Sequence, residues 1–347
     1  MLDRKDSIES FDKKGMLRVI AQMPKHLMDG LQRGRRAGVP RSSAKNVFVC
    51  GMGGSAIGGD LLCEWLSTST QISCSVCRSY NVPPHLGKDS LVIVASYSGN
   101  TEESLSMFEE ACRRRAKVVT ISSGGQLARL SEANDVPSAK LPTGLVPRAS
   151  IGYMFGAMLG VIESSRLATA GPQLEETVHV LQMIVGSCGP SVQTVENPAK
   201  RLAHEVLGHV PVVIGYGLSR PVAKRWANQL NENSKCMAFS SELPELNHNE
   251  IVGWARDSRS QGFASIFLDH EQPSHAMVRR VEATKDMLRK SGPVFEVNAQ
   301  GLSHLAKMFS LVIMGDYVST YLGILRKEDP SSTEPIDQLK AVLAKKK

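Results

Sequence analysis

Short runs of consecutive apolar residues alternate along this chain with stretches whose apolar positions recur every three or four residues. The first kind reads as buried strands, the second as helices packed by one face. In the first half the strand pattern falls at 47–50, 72–78, 91–96 and 117–122, and the helical pattern at 56–66, 101–115 and 125–133. A leading segment, 7–36, is helical in pattern, with Pro24 expected to kink or divide it, and 150–167 closes this half as an apolar helix.

Residues 168–200 carry Ala170-Gly171-Pro172, Gly189-Pro190 and Asn197-Pro198 among amphipathic stretches, the pattern of a helical connector. The alternation then restarts, with strands expected at 211–216, 235–239, 263–268 and 294–297 and helices at 221–231, 274–290 and 302–325. After Asp329-Pro330-Ser331-Ser332, a last helix is expected over 336–344. Strands alternating with helices argue for an α/β protein of mainly parallel sheets with crossover helices. Val49-Cys50-Gly51-Met52-Gly53-Gly54-Ser55 and Val213-Ile214-Gly215-Tyr216-Gly217-Leu218-Ser219 share a strand, Gly-x-Gly-x-Ser, helix layout, which suggests two copies of one design. The expected organisation is a first domain over 1–167, a connector over 168–200, a second domain over 201–326 and a helical tail over 327–347.

Composition narrows the class. The 347 residues are 42% hydrophobic and 22% charged, which excludes a disordered or collagenous chain. The longest nearly apolar run, 151–162, is too short for a bilayer, and residues 1–6 show no apolar core behind a basic start, so neither membrane nor secretory signal is expected. Seven cysteines, an odd number, do not suggest a disulfide framework. The expectation is a cytoplasmic protein. The net charge of +7 is spread over short clusters at 33–36, 113–115 and 345–347 without interleaved aromatics, which argues against nucleic acid. A mildly positive field suits a small anionic substrate.

Two glycine-containing turns carry candidate chemistry. Gly51-Met52-Gly53-Gly54-Ser55-Ala56 satisfies a dinucleotide fingerprint, but the acid expected near the end of the next strand is missing from 74–80. Only Arg78 keeps an NADP reading open, through a 2′-phosphate. The second turn, Ser96-Tyr97-Ser98-Gly99-Asn100-Thr101-Glu102-Glu103, follows an apolar strand and opens a helix. Its hydroxyls at Ser96, Ser98 and Thr101, with the turn's amides, suit a phosphate at a helix N-terminus. The bland reading is a helix cap with Asn100 at N-cap. No Gly-Lys-Ser/Thr ending makes it a nucleotide P-loop.

Together these turns resemble the sugar isomerase (SIS) domain, a three-layer αβα phosphosugar-binding sandwich. More narrowly, the chain is similar to the bifunctional phosphoglucose/phosphomannose isomerase family. Further marks are Val146-Pro147-Arg148, Asn231-Glu232-Asn233-Ser234-Lys235, Glu245-Leu246-Asn247-His248-Asn249-Glu250 and Ile336-Asp337-Gln338-Leu339-Lys340. The resemblance implies two SIS-type domains, a phosphate site of Gly53, Gly54, Ser55, Ser96, Ser98 and Thr101, and no cofactor or metal. It implies a homodimer with a shared active site, His248 arriving from the neighbouring chain, and sugar 6-phosphates as substrates. The activity implied is interconversion of glucose 6-phosphate and mannose 6-phosphate with fructose 6-phosphate; the alternative is a non-catalytic sugar-phosphate sensor.

Aldose–ketose isomerisation needs a base that moves a proton between C2 and C1 and a charge that stabilises the enediolate. Glu232 is typed for the base and Arg148 for the charge, His248 for ring opening, and Lys340 for assistance at the ring oxygen. Thr333 matches a family threonine whose small size would let the enediol turn about C2–C3, so that both faces of C2 can be protonated. Three signals fail. His204 and His209 lie five apart and cannot share an ion from one helix. Cys74 and Cys77 point to opposite faces of a strand. No Gly-x-Ser-x-Gly elbow supports serine hydrolysis.

Overall fold

The structure is a computed structural model and describes residues 1–271 and 274–344; the basic cluster at 345–347 lies outside them. In chain order come α1 (Lys5–Phe11), α2 (Met16–Ala21), α3 (Met23–Arg35), β1 (Asn46–Cys50), α4 (Gly53–Ser69), β2 (Ser73–Cys77), β3 (Ser90–Ala95) and α5 (Glu102–Arg113). Next are β4 (Lys117–Ser122), α6 (Gly125–Ala133), β5 (Ser138–Lys140), α7 (Ile151–Ser164), α8 (Gly171–Cys188), α9 (Pro198–Val206), β6 (Val210–Gly215) and α10 (Arg220–Ser234). The chain ends with β7 (Phe239–Glu242), α11 (Glu250–Arg256), β8 (Phe263–Asp269), α12 (His275–Leu288), β9 (Val294–Asn298), α13 (His304–Leu325) and α14 (Glu334–Ala344).

Two compact units form. One comprises Ala21–Met183 and Ala299–Ser310, the other Met1–Ile20, Ile184–Asn298 and Leu311–Lys347. The first holds a sheet ordered β2-β1-β3-β4-β5 and the second a sheet ordered β7-β6-β8-β9, with every pairing parallel. In both, the first strand of the sheet has the second on one side and the third on the other. The repeated Gly-x-Gly-x-Ser segment therefore follows equivalent strands, as the internal repeat predicts.

Each sheet is covered by helices, so its inner strands read as unbroken apolar runs. All six residues of β3 are buried. In the first unit Phe48, Val92, Val94, Met107, Phe108 and Leu127 form one core; in the second, Ile214, Tyr216, Leu246, Phe267 and Val281 form another. Helices α3 and α7 run so close that a Cβ at Gly34 would collide with the carbonyl of Ala157.

The element boundaries differ from the sequence reading in instructive ways. The leading segment is three helices, and Pro24 stands in the first turn of α3, where a missing N–H costs nothing. Met1–Ile20 groups with the second sheet, whereas a boundary at 167 kept it with the first. The fully buried Lys200 explains this: its ammonium donates to the carbonyls of Leu2 at 2.7 Å, Val192 at 2.7 Å and Pro190 at 2.9 Å, and reaches Asp3 at 3.2 Å. The strand expected at 235–239 begins at Phe239, because α10 runs to Ser234 and closes on Lys235 in a left-handed conformation, φ 50°. Among the described residues α13 is the one helix long and apolar enough to cross a membrane, but 94% of its most apolar stretch is buried within the protein. Cys63 of α4 and Cys74 of β2 are joined by a disulfide across a Cα separation of 5.0 Å, a pairing that the cysteine count did not announce.

Candidate functional site

In the first unit the strand order reverses at β1, which makes the carboxyl ends of β1 and β3 a switch point where ligands of α/β sheets bind. The turns after these strands are the two glycine-containing segments. Ser55, at the start of α4, accepts the Tyr97 amide on its Oγ at 3.3 Å, joining one turn to the other. Ser96 Oγ donates to Thr101 Oγ1 at 3.0 Å and accepts the Gly99 amide at 3.2 Å. Ser98 Oγ accepts the Asn100 amide at 3.3 Å. Ser55 and Ser96 are buried and Ser98 is exposed.

Glycine is required at position 99: φ is +69°, and a Cβ would collide with the carbonyl of Gly124. The N-cap of α5 is Thr101, not Asn100, and Asn100 Oδ1 instead accepts the Gln126 amide at 2.9 Å. The first-turn amides of α5 have no acceptors within the helix, and α5 starts just after β3 at the switch point, which puts the positive end of its dipole there. The arrangement is chemically suited to a phosphoryl group.

Arg148 is brought to the other turn, the one that opens α4. It sits in a 3₁₀ turn, Pro147–Ser150, and is 2% exposed. A Cβ at Gly54 would lie 3.1 Å from the Pro147 carbonyl and 3.2 Å from the Arg148 Cα, so a larger residue would crowd the arginine's backbone and glycine lets α4 start this close to it. The loop ahead of Arg148 is held by Tyr97, whose hydroxyl donates to the Pro142 carbonyl at 2.8 Å and accepts the Leu145 amide at 3.0 Å. Burial pushes this phenol above its usual range, so it stays neutral. Tyr97 was overlooked in the sequence because aromatic residues after a strand usually read as packing.

The second unit carries the remaining predicted residues. Glu232 lies half-buried in the last turn of α10. That helix is stitched to α13 by one face: Trp226 Nε1 donates to the Leu311 carbonyl at 2.8 Å, Arg225 Nη2 to both Asp316 oxygens at 2.9 and 2.8 Å, Gln229 Nε2 to Asp316 Oδ1 at 2.8 Å, and Asn233 Nδ2 to Ser319 Oγ at 3.0 Å. Lys235 then ties the helix end to the loop before α14, donating to the carbonyls of Glu232 at 2.9 Å and Asp329 at 2.5 Å. Thr333, its Oγ1 donating to Asp337 Oδ2 at 2.8 Å, lines a cavity of about 570 Å³ with Lys14, Asp329, Ser332 and Gln338. His248 is exposed, ending the 3₁₀ turn Glu245–His248, with its neighbours anchored: Asn247 Nδ2 donates to Thr284 Oγ1 and Asn249 Nδ2 to Glu245 Oε1, each at 2.8 Å. Lys340 is exposed on α14.

The second sheet has a switch point of its own, and its chemistry is opposite. Ile214 pairs with Phe267 as Cys50 pairs with Val94, so Asp269 occupies the position of Ser96. Asp269 accepts the Tyr216 hydroxyl and the Lys285 ammonium, each at 2.7 Å, in a cluster completed by Glu282 and Glu296. A carboxylate already paired there does not suit a phosphate. The NADP reading loses its one support as well, because Arg78 is ion-paired with Asp60 of α4. His209 lies beyond the end of α9, off the helix that bears His204.

The sequence model of the family described as bacterial phospho-glucose isomerase C-terminal SIS domain matches residues 195–343, and the SIS domain model matches residues 42–139. The chain is 36% identical to the bifunctional phosphoglucose/phosphomannose isomerase of Caldicellulosiruptor bescii, over 95% of this chain and 99% of that one. It is 34% identical to the protein of the same name from Aquifex aeolicus, over 87% and 91%. A crystal structure of a glucose-6-phosphate isomerase like protein from Thermus thermophilus has the same fold, with a TM-score of 0.67 at 18% identity over 98% of this chain and 99% of that chain.

Proposed function

The chain belongs to the bifunctional phosphoglucose/phosphomannose isomerase family, and from that premise we propose that it interconverts glucose 6-phosphate and mannose 6-phosphate with fructose 6-phosphate. The observation that supports this reading is a phosphate-type turn, 96–101, joined through the Tyr97 amide and Ser55 to the turn at which a buried arginine packs on Gly54. A sensor needs the first, and the isomerisation needs in addition a fixed positive charge for the enediolate.

In the proposed chemistry, the 6-phosphate is held by Ser55, Ser96, Ser98, Thr101 and the backbone at Gly53 and Gly54. His248, supplied by the second chain of a homodimer, protonates the ring oxygen as the C1 hydroxyl gives its proton to water, the C1–O5 bond breaks and the C1 carbonyl forms, and Lys340 assists at the ring oxygen. Glu232 takes the C2 proton of the open aldose. The C–H electron pair becomes the C1–C2 double bond as the C1 carbonyl pair moves onto O1, giving a cis-enediolate whose charge Arg148 faces, and the O2 hydroxyl proton passes to O1. Glu232 returns the proton to C1 to give the ketose. In reverse, rotation about C2–C3 beside Thr333 lets either face of C2 take the proton, giving both epimers. An environment of this kind supplies base catalysis of about 10²–10⁴-fold and a further contribution from preorganised charge.

The test is direct. Purified protein treated with EDTA is assayed for glucose 6-phosphate formation from fructose 6-phosphate and for fructose 6-phosphate formation from mannose 6-phosphate. Both activities are expected. Activity on one aldose alone removes the bifunctional claim, and loss of both on chelation removes a mechanism carried by side chains alone.

A further inference from the structure

Tyr97 belongs to two structures at once. Its backbone is part of the phosphate turn: the amide donates to Ser55 Oγ at 3.3 Å, and the carbonyl accepts the Ser123 amide at 2.9 Å and the Ser123 hydroxyl at 2.7 Å. Its side chain leaves that turn and, 5% exposed, ends between the Pro142 carbonyl and the Leu145 amide, at 2.8 and 3.0 Å. Those two groups lie on the loop that runs directly into the 3₁₀ turn bearing Arg148.

We infer that Tyr97 is a positioning residue that couples the grip on phosphate to the placement of Arg148. A buried guanidinium cannot be reset by solvent, so its location follows from its backbone. That backbone is fixed from one side by the close approach to Gly54 and from the other by the tyrosine hydroxyl. The hydroxyl is suited to this because it donates and accepts at once, and one backbone group of each kind faces it. Phenylalanine keeps the ring packing and loses both bonds. The hydroxyl is fully engaged with the loop, which separates it from the reacting atoms and makes its role indirect. The inference rests on the proposed assignment of Arg148 to the enediolate.

The experiment compares wild type with Tyr97→Phe in three readouts: steady-state kinetics with fructose 6-phosphate, inhibition by inorganic phosphate, and inhibition by a five-carbon hydroxamate phosphate that mimics the enediolate. A shift of about an ångström at a reacting centre costs as much as roughly 100-fold, so kcat is expected to fall at least about tenfold. Inorganic phosphate should inhibit as before, because the turn's own hydroxyls and amides are untouched. The hydroxamate should weaken by the same factor as kcat/KM. In an Arg148→Lys background, Tyr97→Phe should add little, as coupled residues do in a double-mutant cycle. Equal weakening of phosphate and hydroxamate marks a merely structural role and overturns the inference, as do additive losses in the double variant or unchanged hydroxamate inhibition. A wild-type enzyme that isomerises yet binds the hydroxamate no more tightly than phosphate overturns the assignment of Arg148, and this inference with it.

Discussion

The ammonium of Lys235 donates to the main-chain carbonyl of Asp329 at 2.5 Å while also holding the carbonyls of Glu232 at 2.9 Å and Asn233 at 3.4 Å. One side chain thus holds two carbonyls at the open end of α10, beside Arg326 on the Ser234 carbonyl, and fastens that end to the loop that leads to Thr333. The left-handed backbone at Lys235, φ 50°, turns its side chain back over the helix end it has just left. Replacing it with methionine keeps the aliphatic stem and leaves these acceptors without their donor. Such a loss costs on the order of 1–3 kcal/mol, so Lys235→Met is expected to melt several degrees lower and to lose kcat on both aldoses with KM little changed. Thermal denaturation and steady-state kinetics check this, and a variant with wild-type melting and kcat would show that the clasp is dispensable.

Removing the proposed base tests the central step. Glu232→Gln conserves the shape of a half-buried side chain on a helix anchored through Arg225, Gln229 and Asn233, so folding should be preserved. The expected loss in kcat is about 10²–10⁴-fold, with the affinity for sugar phosphate retained. In deuterated water the variant should also stop exchanging the substrate's C2 proton with solvent. Normal turnover with normal binding would move the base elsewhere.

How much of this was legible in the sequence follows from the range of the interactions involved. The alternation of β1 to β4 with α4 to α6 was readable because buried parallel strands such as Ser90–Ala95 are apolar on both faces. The repeated Gly-x-Gly-x-Ser correctly announced two sheets of one order. What escaped were features set by distant partners. Nothing local in Met1–Ile20 points to the second sheet; a buried lysine 197 residues beyond Asp3 decides it. β5 was missed because three residues, Ser138–Lys140, carry no period. At the candidate site the residue types were visible, and the devices that place them were not: Tyr97 acts through a hydroxyl 45 residues from its acceptor, and Lys235 through a carbonyl 94 residues away.

Thr333 offers a test of substrate choice. It lines the 570 Å³ cavity while its hydroxyl supports the first turn of α14 through Asp337. Thr333→Gln fills part of that space and should depress mannose 6-phosphate turnover more than glucose 6-phosphate turnover. Thr333→Ser keeps the hydroxyl and should leave the ratio near wild type. Equal losses on the two aldoses in Thr333→Gln would reduce the residue to a helix cap.

The proposed phosphate turn should respond differently from the proposed base. Ser96 Oγ joins the Gly99 amide to the Thr101 hydroxyl, so Ser96→Ala removes a donor and loosens two others. Hydrogen bonds to charged groups contribute roughly 1.5–3 kcal/mol, so KM for each sugar phosphate should rise by about ten- to a hundredfold, with a matching weakening of inhibition by inorganic phosphate. A change in kcat alone would place the phosphate elsewhere.

A last expectation concerns stability and pH. His26 is buried against Tyr153, ring centroids 4.3 Å apart, with Nε2 3.3 Å from the Gln22 side-chain oxygen. Burial, then the neighbouring positive charge of Lys25, lowers its pKa from 6.5 to about 4, with Asp29 opposing. Between these values the unfolded chain binds a proton that the folded one refuses. Stability from the neutral ring is therefore complete above about pH 6.5 and is lost as the pH falls toward 4, by an amount on the order of 2 kcal/mol. His26→Phe keeps the stacking on Tyr153 and removes the titration, so the difference in urea midpoint between pH 7.5 and pH 4.5 should shrink relative to wild type. An undiminished acid-side loss in the variant would assign that sensitivity to other groups.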